Sequence, residues 1–383
     1  MEPLVWNQRT GFVVGGHQRL KVLKALGITE VDCVVVDMDK QRGKALNIAL
    51  NKVSGDWDMP LLTDLLKDLE GSGFDVSLTG FEAAELEELF GDTPAGIVKE
   101  DDFDADKAAA EITEPITQRG DLWQLGRHRL MCGDSTSKQD VLSLMDNKRA
   151  RLIFTDPPWN VDYGSDSKHP SWKPRQILND SMTPEQFHDF LLAAFCNMKA
   201  VSEEGCMTYV VMSGQEWGNL MTVMREAGYH WSSTIIWKKD TLVLSRKDYH
   251  TQYEPIWYGW LEGARFCPLR DRKQSDVWEI ARPKRSDEHP TMKPIALVAR
   301  AIQNSSRAGD IVLDLFGGSG STPIAAEQTG RICYTMELDP KYCDVIVKRY
   351  IGQIGSANGV FLQRDNVRLA CSQIANRATQ QSA

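Results

Sequence analysis

An α/β fold, with a mostly parallel sheet covered by helices on both faces, is what this sequence predicts, and three observations carry the prediction. From about Gly120 onward, apolar strand-like runs alternate with helical stretches, the pattern of successive βαβ units. A glycine-rich turn, "FGGSGST", follows the apolar run "VLDL" and opens a helix, as nucleotide-type ligand sites do in such folds. The chain has 383 residues, 42% of them apolar and 25% charged, which is globular composition with room for two or three domains.

The elements follow in order. The first segment, to about Gly55, reads as strand "GFVVGG", helix "HQRLKVLKALG" closed by Gly27, strand "VDCVVVDM" and helix "KQRGKALNIALNKV", a small α/β unit. Two short amphipathic helices, "PLLTDLLKDLE" and "FEAAELEELFG", come next, and "KEDDFDADKAAAE" then reads as a solvated, mobile acidic linker ending near Pro115. Beyond it, strands are expected at "ARLIFT", "CMTYVVM", "SSTIIW", "YEPIWYG", "DIVLDLF" and "RICYTMEL". Helices are expected at "TPEQFHDFLLAAFCNMKAV", "GQEWGNLMTVMREAG", "PIALVARAIQNSS", "STPIAAEQTG" and "PKYCDVIVKRYIGQI". "TPEQ" is an N-terminal signature, with Thr183 as cap, Pro184 at the first helical position and Gln186 completing a capping box.

The net charge is −9, but it is uneven: the stretch from Gly55 to Pro115 is acidic, and between Trp237 and Arg300 basic residues outnumber acidic ones and stand beside aromatics. Nucleic-acid contact is expected there. The eight cysteines show no C-x-x-C pair and are expected to be buried free thiols, with neither a disulfide framework nor a zinc site, and no metal is expected. No apolar run is long enough to span a bilayer and the N-terminus has no signal-peptide pattern, so a cytoplasmic protein without a membrane partner is expected.

Two segments carry chemistry. Asp314 closes an apolar strand, and Gly317, Gly318 and Gly320 then let backbone amides approach a ligand before Ser321 and Thr322 open a helix. The glycines fall as G-G-x-G rather than G-x-G-x-x-G, and no P-loop lysine follows. The next strand ends in Glu337, placed to accept hydrogen bonds from ribose hydroxyls. The same residues would also serve as a tight strand-to-helix turn with a surface acid. In "LIFTDPPWN", Pro157 and Pro158 force the chain out of regular structure just after Asp156. The Asp156 carboxylate and the Pro157 carbonyl can both accept from one exocyclic amino group, and Trp159 offers a flat face for a base. The alternative is a strand-ending turn above a core tryptophan.

Taken in order, "DPPW", "HPTMKP", "DLFGGSGST" and "MELDP" resemble the motifs of the amino-group DNA methyltransferases of the β arrangement, over about Arg119 to Tyr350. The resemblance implies a circularly permuted Rossmann-like sheet, in which the target-binding motif precedes the S-adenosylmethionine motif. It implies that Asp314, Phe316, Gly317, Gly318, Gly320, Ser321 and Thr322 line the cofactor, with Glu337 on its ribose. Through "RHRLMCGDS", it also implies that Asp134 binds the cofactor's adenine. Asp156, Pro157 and Pro158 would orient the target amine and Trp159 would stack on the base, where tyrosine or phenylalanine is commoner in the family. An aspartate before Pro-Pro tilts the resemblance toward adenine-N6 over cytosine-N4. The implied reaction is direct attack of the amine on the sulfonium methyl, with duplex DNA as substrate. A homodimer and a cognate restriction nuclease stay open as further partners.

The family places its target-recognition region between "YEPIWYGW" and "HPTMKP", here Leu261 to Glu288. On that basis Arg265, Arg270, Arg272, Lys273, Arg282, Lys284 and Arg285 are expected to contact DNA, while His289 is expected to be positional. The N-terminal segment, through "GGHQRLKVLKALG" and "LNIALNKVSGDWD", resembles a ParB-like domain, in which Gly16, His17 and Arg19 would meet phosphates. The strand and helix expected before "PLVWN" are absent, so a truncated module is expected. The resulting division is a truncated ParB-like module at 1–55, a helical and acidic linker region at 56–118 and a methyltransferase domain at 119–383. The alternatives are cytosine-N4 methylation, a non-catalytic ParB-like DNA-binding factor, and methylation of a protein glutamine or a small molecule at a similar X-Pro-Pro-aromatic site.

Overall fold

A computed structural model describes residues 3–52, 62, 65–66, 68–69, 72, 74–81, 98–161, 178–243, 248–267, 269, 274–282, 292–365, 367–371 and 373–374. The chain divides into two compact units, Met1–Pro94 and Ala95–Ala383.

In the first unit, β1 (Leu4–Asn7) pairs antiparallel with β2 (Phe12–Gly15) and parallel with β3 (Cys33–Val36). Helix α1 (His17–Ala25) starts at Gly16, whose φ of 86° needs a glycine. Helix α2 (Lys40–Lys52) buries Ala45 and Ile48 in a cluster with Leu62, Leu66 and Leu69. Strand β1 was not among the expected elements. Four residues are too few to show a period, and what holds the strand is a buried asparagine: Asn7 donates to the Met38 carbonyl at 2.9 Å and accepts from the Met38 amide at 3.3 Å.

The second unit begins, among the described residues, with α3 (Ala105–Glu111) and the antiparallel hairpin of β4 (Leu122–Leu125) and β5 (His128–Cys132). There follow α4 (Lys138–Met145), β6 (Ala150–Thr155), α5 (Pro184–Ala200), β7 (Ser202–Val211) and α6 (Trp217–Glu226). Then come β8 (Tyr229–Val243), β9 (Thr251–Leu261), β10 (Val277–Glu279), α7 (Ile295–Ser305), β11 (Ile311–Asp314) and α8 (Ser321–Gln328). The last elements are β12 (Ile332–Glu337), α9 (Pro340–Ile354), β13 (Val360–Arg364) and β14 (Val367–Ala370). The capping box at Thr183 and Gln186 forms as its sequence requires.

One sheet runs β10-β8-β9-β7-β6-β11-β12-β5-β4-β13-β14, with the five strands from β7 to β5 parallel. Residues of α7, α8 and α9 build the core on one face, and residues of α4, α5 and α6 build it on the other. The hairpin β4–β5, strand β10 and the β13–β14 pair were not read from the sequence, because each is short and carries polar residues between its apolar ones.

The order of the sheet places the site. Strand β6 continues through α5 to β7 on one side, whereas β11 continues through α8 to β12 on the other. Adjacent strands whose connections leave in opposite directions open a crevice at their carboxyl ends, the ligand position in open α/β sheets. This is the permuted order expected from the late glycine loop: "DPPW" and "FGGSGST", far apart in sequence, leave neighbouring strands.

The acidic stretch is not a solvated linker. Asp104 caps α3, whose Ala105, Ala108 and Ala109 pack with Val345 of α9. Glu100 accepts from the first amides of α7, Ile295 at 3.0 Å and Ala296 at 2.8 Å. Asp101 holds the buried Arg349 through two bonds of 2.7 and 2.9 Å. Its charges are used to cap a helix and neutralise a core arginine. Composition hid this because the partner of Asp101 lies 248 residues away.

All eight cysteines are free; Cys132, Cys206, Cys333 and Cys343 are buried, whereas Cys33 and Cys196 are exposed, contrary to the expectation of burial. Among the described residues, no helix is long and apolar enough to cross a membrane and no cluster of His, Cys, Asp and Glu could hold a metal ion.

Candidate active site

On the β11 side the glycine loop is built by close packing. A Cβ on Gly317 would come within 2.7 Å of Thr335 Oγ1 and 3.2 Å of the Met336 carbonyl, so only glycine lets the loop lie against β12. Gly320, at φ 84°, turns the chain into α8, whose first turn has no side-chain cap. Its amides are left facing the carboxyl end of the sheet, where an anionic or polar ligand group is favoured.

Asp314 ties this loop to β6. Thr155 Oγ1 donates to its Oδ1 at 2.8 Å, the Phe316 amide to the same oxygen at 3.1 Å, and Thr322 Oγ1 to its Oδ2 at 2.6 Å. Burial pushes the Asp314 carboxyl up to about 7, against the pull of these donors. Glu337, at the end of β12, accepts from the Gly318 amide at 2.7 Å and the Asp339 amide at 2.9 Å; the surrounding protein pushes it up to about 7 as well. Asp134, beyond β5, accepts from the amide and hydroxyl of Thr136 at 2.9 and 2.7 Å. Strand ends β11, β12 and β5 thus bring Asp314, Glu337 and Asp134 to one edge of the sheet.

On the β6 side the arrangement is ionic. Asp156 Oδ2 lies 2.7 Å from Lys293 Nζ, and Asp156 Oδ1 accepts from Trp159 Nε1 at 3.2 Å. The Lys293 ammonium also sits 4.8 Å from the centre of the Trp159 ring and 3.3 Å from Glu254 Oε2, while Glu254 Oε1 is 2.6 Å from Lys239 Nζ. Lys239, Glu254 and Lys293 are buried, yet a quarter of the Asp156 side chain remains open. Burial raises the Asp156 carboxyl; Lys293 opposes this and Glu254 adds to it. Burial also pulls Lys293 down, but the two carboxylates outweigh it and hold the ammonium well above its usual range. The four groups therefore form a chain of alternating sign whose end meets the crevice.

This crevice presents an open carboxylate beside an aromatic face on one strand and a glycine cradle with a second acid on the next. Residues 150–348 match the family model described as DNA methylase. The chain belongs to this DNA methylase family. Residues 60–119 match the ParB-methyltransferase HTH domain, in the stretch read as helices and acidic linker, so the methylase carries a ParB-like part ahead of its catalytic unit. It is 26% identical over 231 residues to DNA adenine methyltransferase YhdJ of Escherichia coli (strain K12), covering 52% of this chain and 75% of that protein. It is 25% identical over 299 residues to Type II methyltransferase M.Cfr9I of Citrobacter freundii, covering 64% and 95%. The solved PvuII DNA methyltransferase (cytosine-N4-specific) aligns with a TM-score of 0.47 and 15% identity, over 70% of this chain and 94% of that one. The methylase is an N6/N4-type DNA methyltransferase that uses S-adenosylmethionine.

The crevice fits that cofactor: the cradle at Gly317 would be filled by a Cβ, the first amides of α8 are uncapped, and Glu337 keeps some exposure. Not every expected side chain faces it. Thr322 is turned to Asp314, and the Ser321 hydroxyl donates to the Lys293 carbonyl at 2.7 Å, so these two residues shape the methylase loop and leave only their amides for a ligand. Phe316 packs 5.8 Å from Phe190 and is partly exposed.

Of the expected DNA contacts, Arg265 is not brought to the site. Its guanidinium lies over Trp260, which pairs with Met207 midway along β7, and the following Phe266 amide donates to the Gly205 carbonyl, on the amino side of Met207 and away from Asp156. Arg282 is on the site's side: its amide donates to Asp240 at 3.2 Å and its guanidinium meets Thr241, on the ribbon that β8 and β9 extend past the end of β7. Arg270, Arg272, Lys273, Lys284, Arg285 and His289 lie outside the described residues. Lys293, Glu254 and Lys239 were missed as site residues. The sequence signal was faint: each is a charge just outside an apolar run, in "HPTMKPIAL", "YEPIWYG" and "STIIWKK".

Proposed function

We propose that the methylase modifies the N6 amine of adenine extruded from duplex DNA. The observation that carries this reading is the partly open Asp156 carboxylate, held by a lysine and a tryptophan at the end of β6, one strand from the glycine loop. S-adenosylmethionine, when bound, supplies an electrophilic methyl on a sulfonium. Asp156 and the Pro157 carbonyl accept the two hydrogens of the amine, which fixes its plane and leaves electron density on nitrogen for attack. Trp159 stacks on the base, at about 1–3 kcal/mol, comparable to the few kcal/mol that unstacking from the duplex costs. Glu337 and Asp134 hold the ribose and adenine of the cofactor, and Arg282 contacts the DNA backbone.

Adenine is favoured by the aspartate ahead of Pro157 and Pro158 and by the name of YhdJ, a DNA adenine methyltransferase. The test is nucleoside analysis of DNA incubated with the full chain and labelled S-adenosylmethionine. Label in N6-methyladenine is expected; label in N4-methylcytosine alone would overturn the assignment. Label recovered only in protein would overturn DNA as the substrate.

A further inference from the structure

We propose that Lys293 is a positioning residue for the transfer step, keeping Asp156 an ionised, correctly turned acceptor. The proposal rests on the reading of Asp156 as the acceptor for the target amine. The groups around Asp156 come from several elements. Lys293 lies just ahead of α7, Glu254 is on β9 with Lys239 of β8 behind it, and Asp314 of β11 is on the next strand.

Of the carboxylates near Asp156, Glu254 disfavours its charge, while Asp156 in turn raises Asp314 on the next strand. The nearest cation, Lys293, opposes both Glu254 and burial. Lys239 acts at one remove, because its ammonium is spent on the far oxygen of Glu254.

Geometry gives Lys293 a second task. Its ammonium takes Asp156 Oδ2 at 2.7 Å and the Trp159 indole takes Oδ1 at 3.2 Å, so the carboxylate cannot rotate and its remaining lone pairs are presented in a fixed plane. The lysine itself is held at both ends. Its carbonyl accepts from Ser321 Oγ at 2.7 Å on the cofactor-side helix, and the helix that starts two residues later is capped by Glu100. Lys293 therefore mechanically joins the target-amine half of the crevice to the cofactor half. A protonated Asp156 would present a donor to an amine that has hydrogens to give, so loss of the lysine should silence the site at pH values where the parent enzyme is active.

The experiment measures kcat against pH for methyl transfer from labelled S-adenosylmethionine to unmethylated genomic DNA, using the full chain. For K293M, kcat near pH 7 should fall about 100-fold or more and recover in part as pH rises, with the acid limb displaced upward by at least about one pH unit. K293R should restore most of the parent profile. Because K293M leaves two buried carboxylates with less compensation, the double variant K293M/E254Q removes one charge of each sign and keeps the cluster neutral. It should fold and bind S-adenosylhomocysteine within about threefold of the parent, yet show an upward displacement of the acid limb, smaller than that of K293M because one raising carboxylate is gone. A parental pH profile and rate in the double variant would overturn the proposal. D156A, which removes both acceptor oxygens, separates the two readings: if it is inactive while K293M/E254Q behaves as the parent, only the role of Lys293 fails. If D156A transfers methyl groups normally, the acceptor reading fails as well.

Discussion

Asp156 and Asp314 end adjacent parallel strands within the same crevice, and they are held in opposite ways. Asp314 is buried and meets only neutral donors, two hydroxyls and an amide, so its carboxyl is pushed up to about 7. Asp156 keeps a quarter of its surface open and is bonded to a buried ammonium that is itself pinned by Glu254. At Asp314 the three donors favour the charged form, but burial outweighs them. Asp156, which we propose accepts hydrogens from the target amine, has a cation beside it, and Lys293, Glu254 and Lys239 are buried behind it as a charged chain.

That contrast is broken most directly at Asp156. D156A should lower methyl transfer at least about 1,000-fold while S-adenosylhomocysteine affinity stays within a few-fold, as measured by single-turnover kinetics and equilibrium binding. Normal turnover at saturating substrates would show that the charged side of the crevice is not the reacting side.

D314N should act on stability. The folded carboxyl lies near 7 against 3.8 for an ordinary aspartate, so the folded state binds the proton more readily than the unfolded one. The cost of ionising it is absent below about pH 4, grows through the interval and is fully present above about pH 7. D314N should therefore lessen the fall in stability between pH 5 and 8 by on the order of 2 kcal/mol, read from denaturant midpoints. Glu337, raised in the same direction, should keep part of the slope. An unchanged slope would mean that Asp314 is not held as its surroundings indicate.

The smallest effect is expected at Trp159. W159F keeps a ring for stacking but removes the indole donor to Asp156, and should change kcat by no more than about threefold if Lys293 is the dominant restraint. W159A should cost about 10- to 100-fold, mostly in the DNA term. A large loss in W159F would transfer the main orienting role from the lysine to the indole.

The two halves of the site were unequally legible. The glycine cradle was readable because close approach of backbone to backbone demands glycine at particular spacings, and Gly317 has no room for a Cβ. Asp156 was readable because two prolines mark where β6 must stop. The buried chain Lys239–Glu254–Lys293 was not, since a lysine beside an apolar run looks the same whether it turns to water or to a carboxylate on another strand. Arg265 shows the converse: a basic residue in a basic segment whose sequence did not reveal that its guanidinium lies over Trp260. The stretch around Asp101 misled for a third reason, because local charge density favours solvation unless a distant arginine is brought within reach.

By itself the sequence determined the alternation of strands and helices, the places where glycine and proline force the chain to turn, and the residue types able to grip an amine and a ribose. Those are consequences of local sterics and short-range patterning. Only the tertiary structure decided that β6 and β11 are neighbours with connections leaving in opposite directions, and which buried charges neutralise one another. Strand order and ion pairing join residues more than a hundred positions apart, and their free energy depends on burial that exists only once the sheet has assembled.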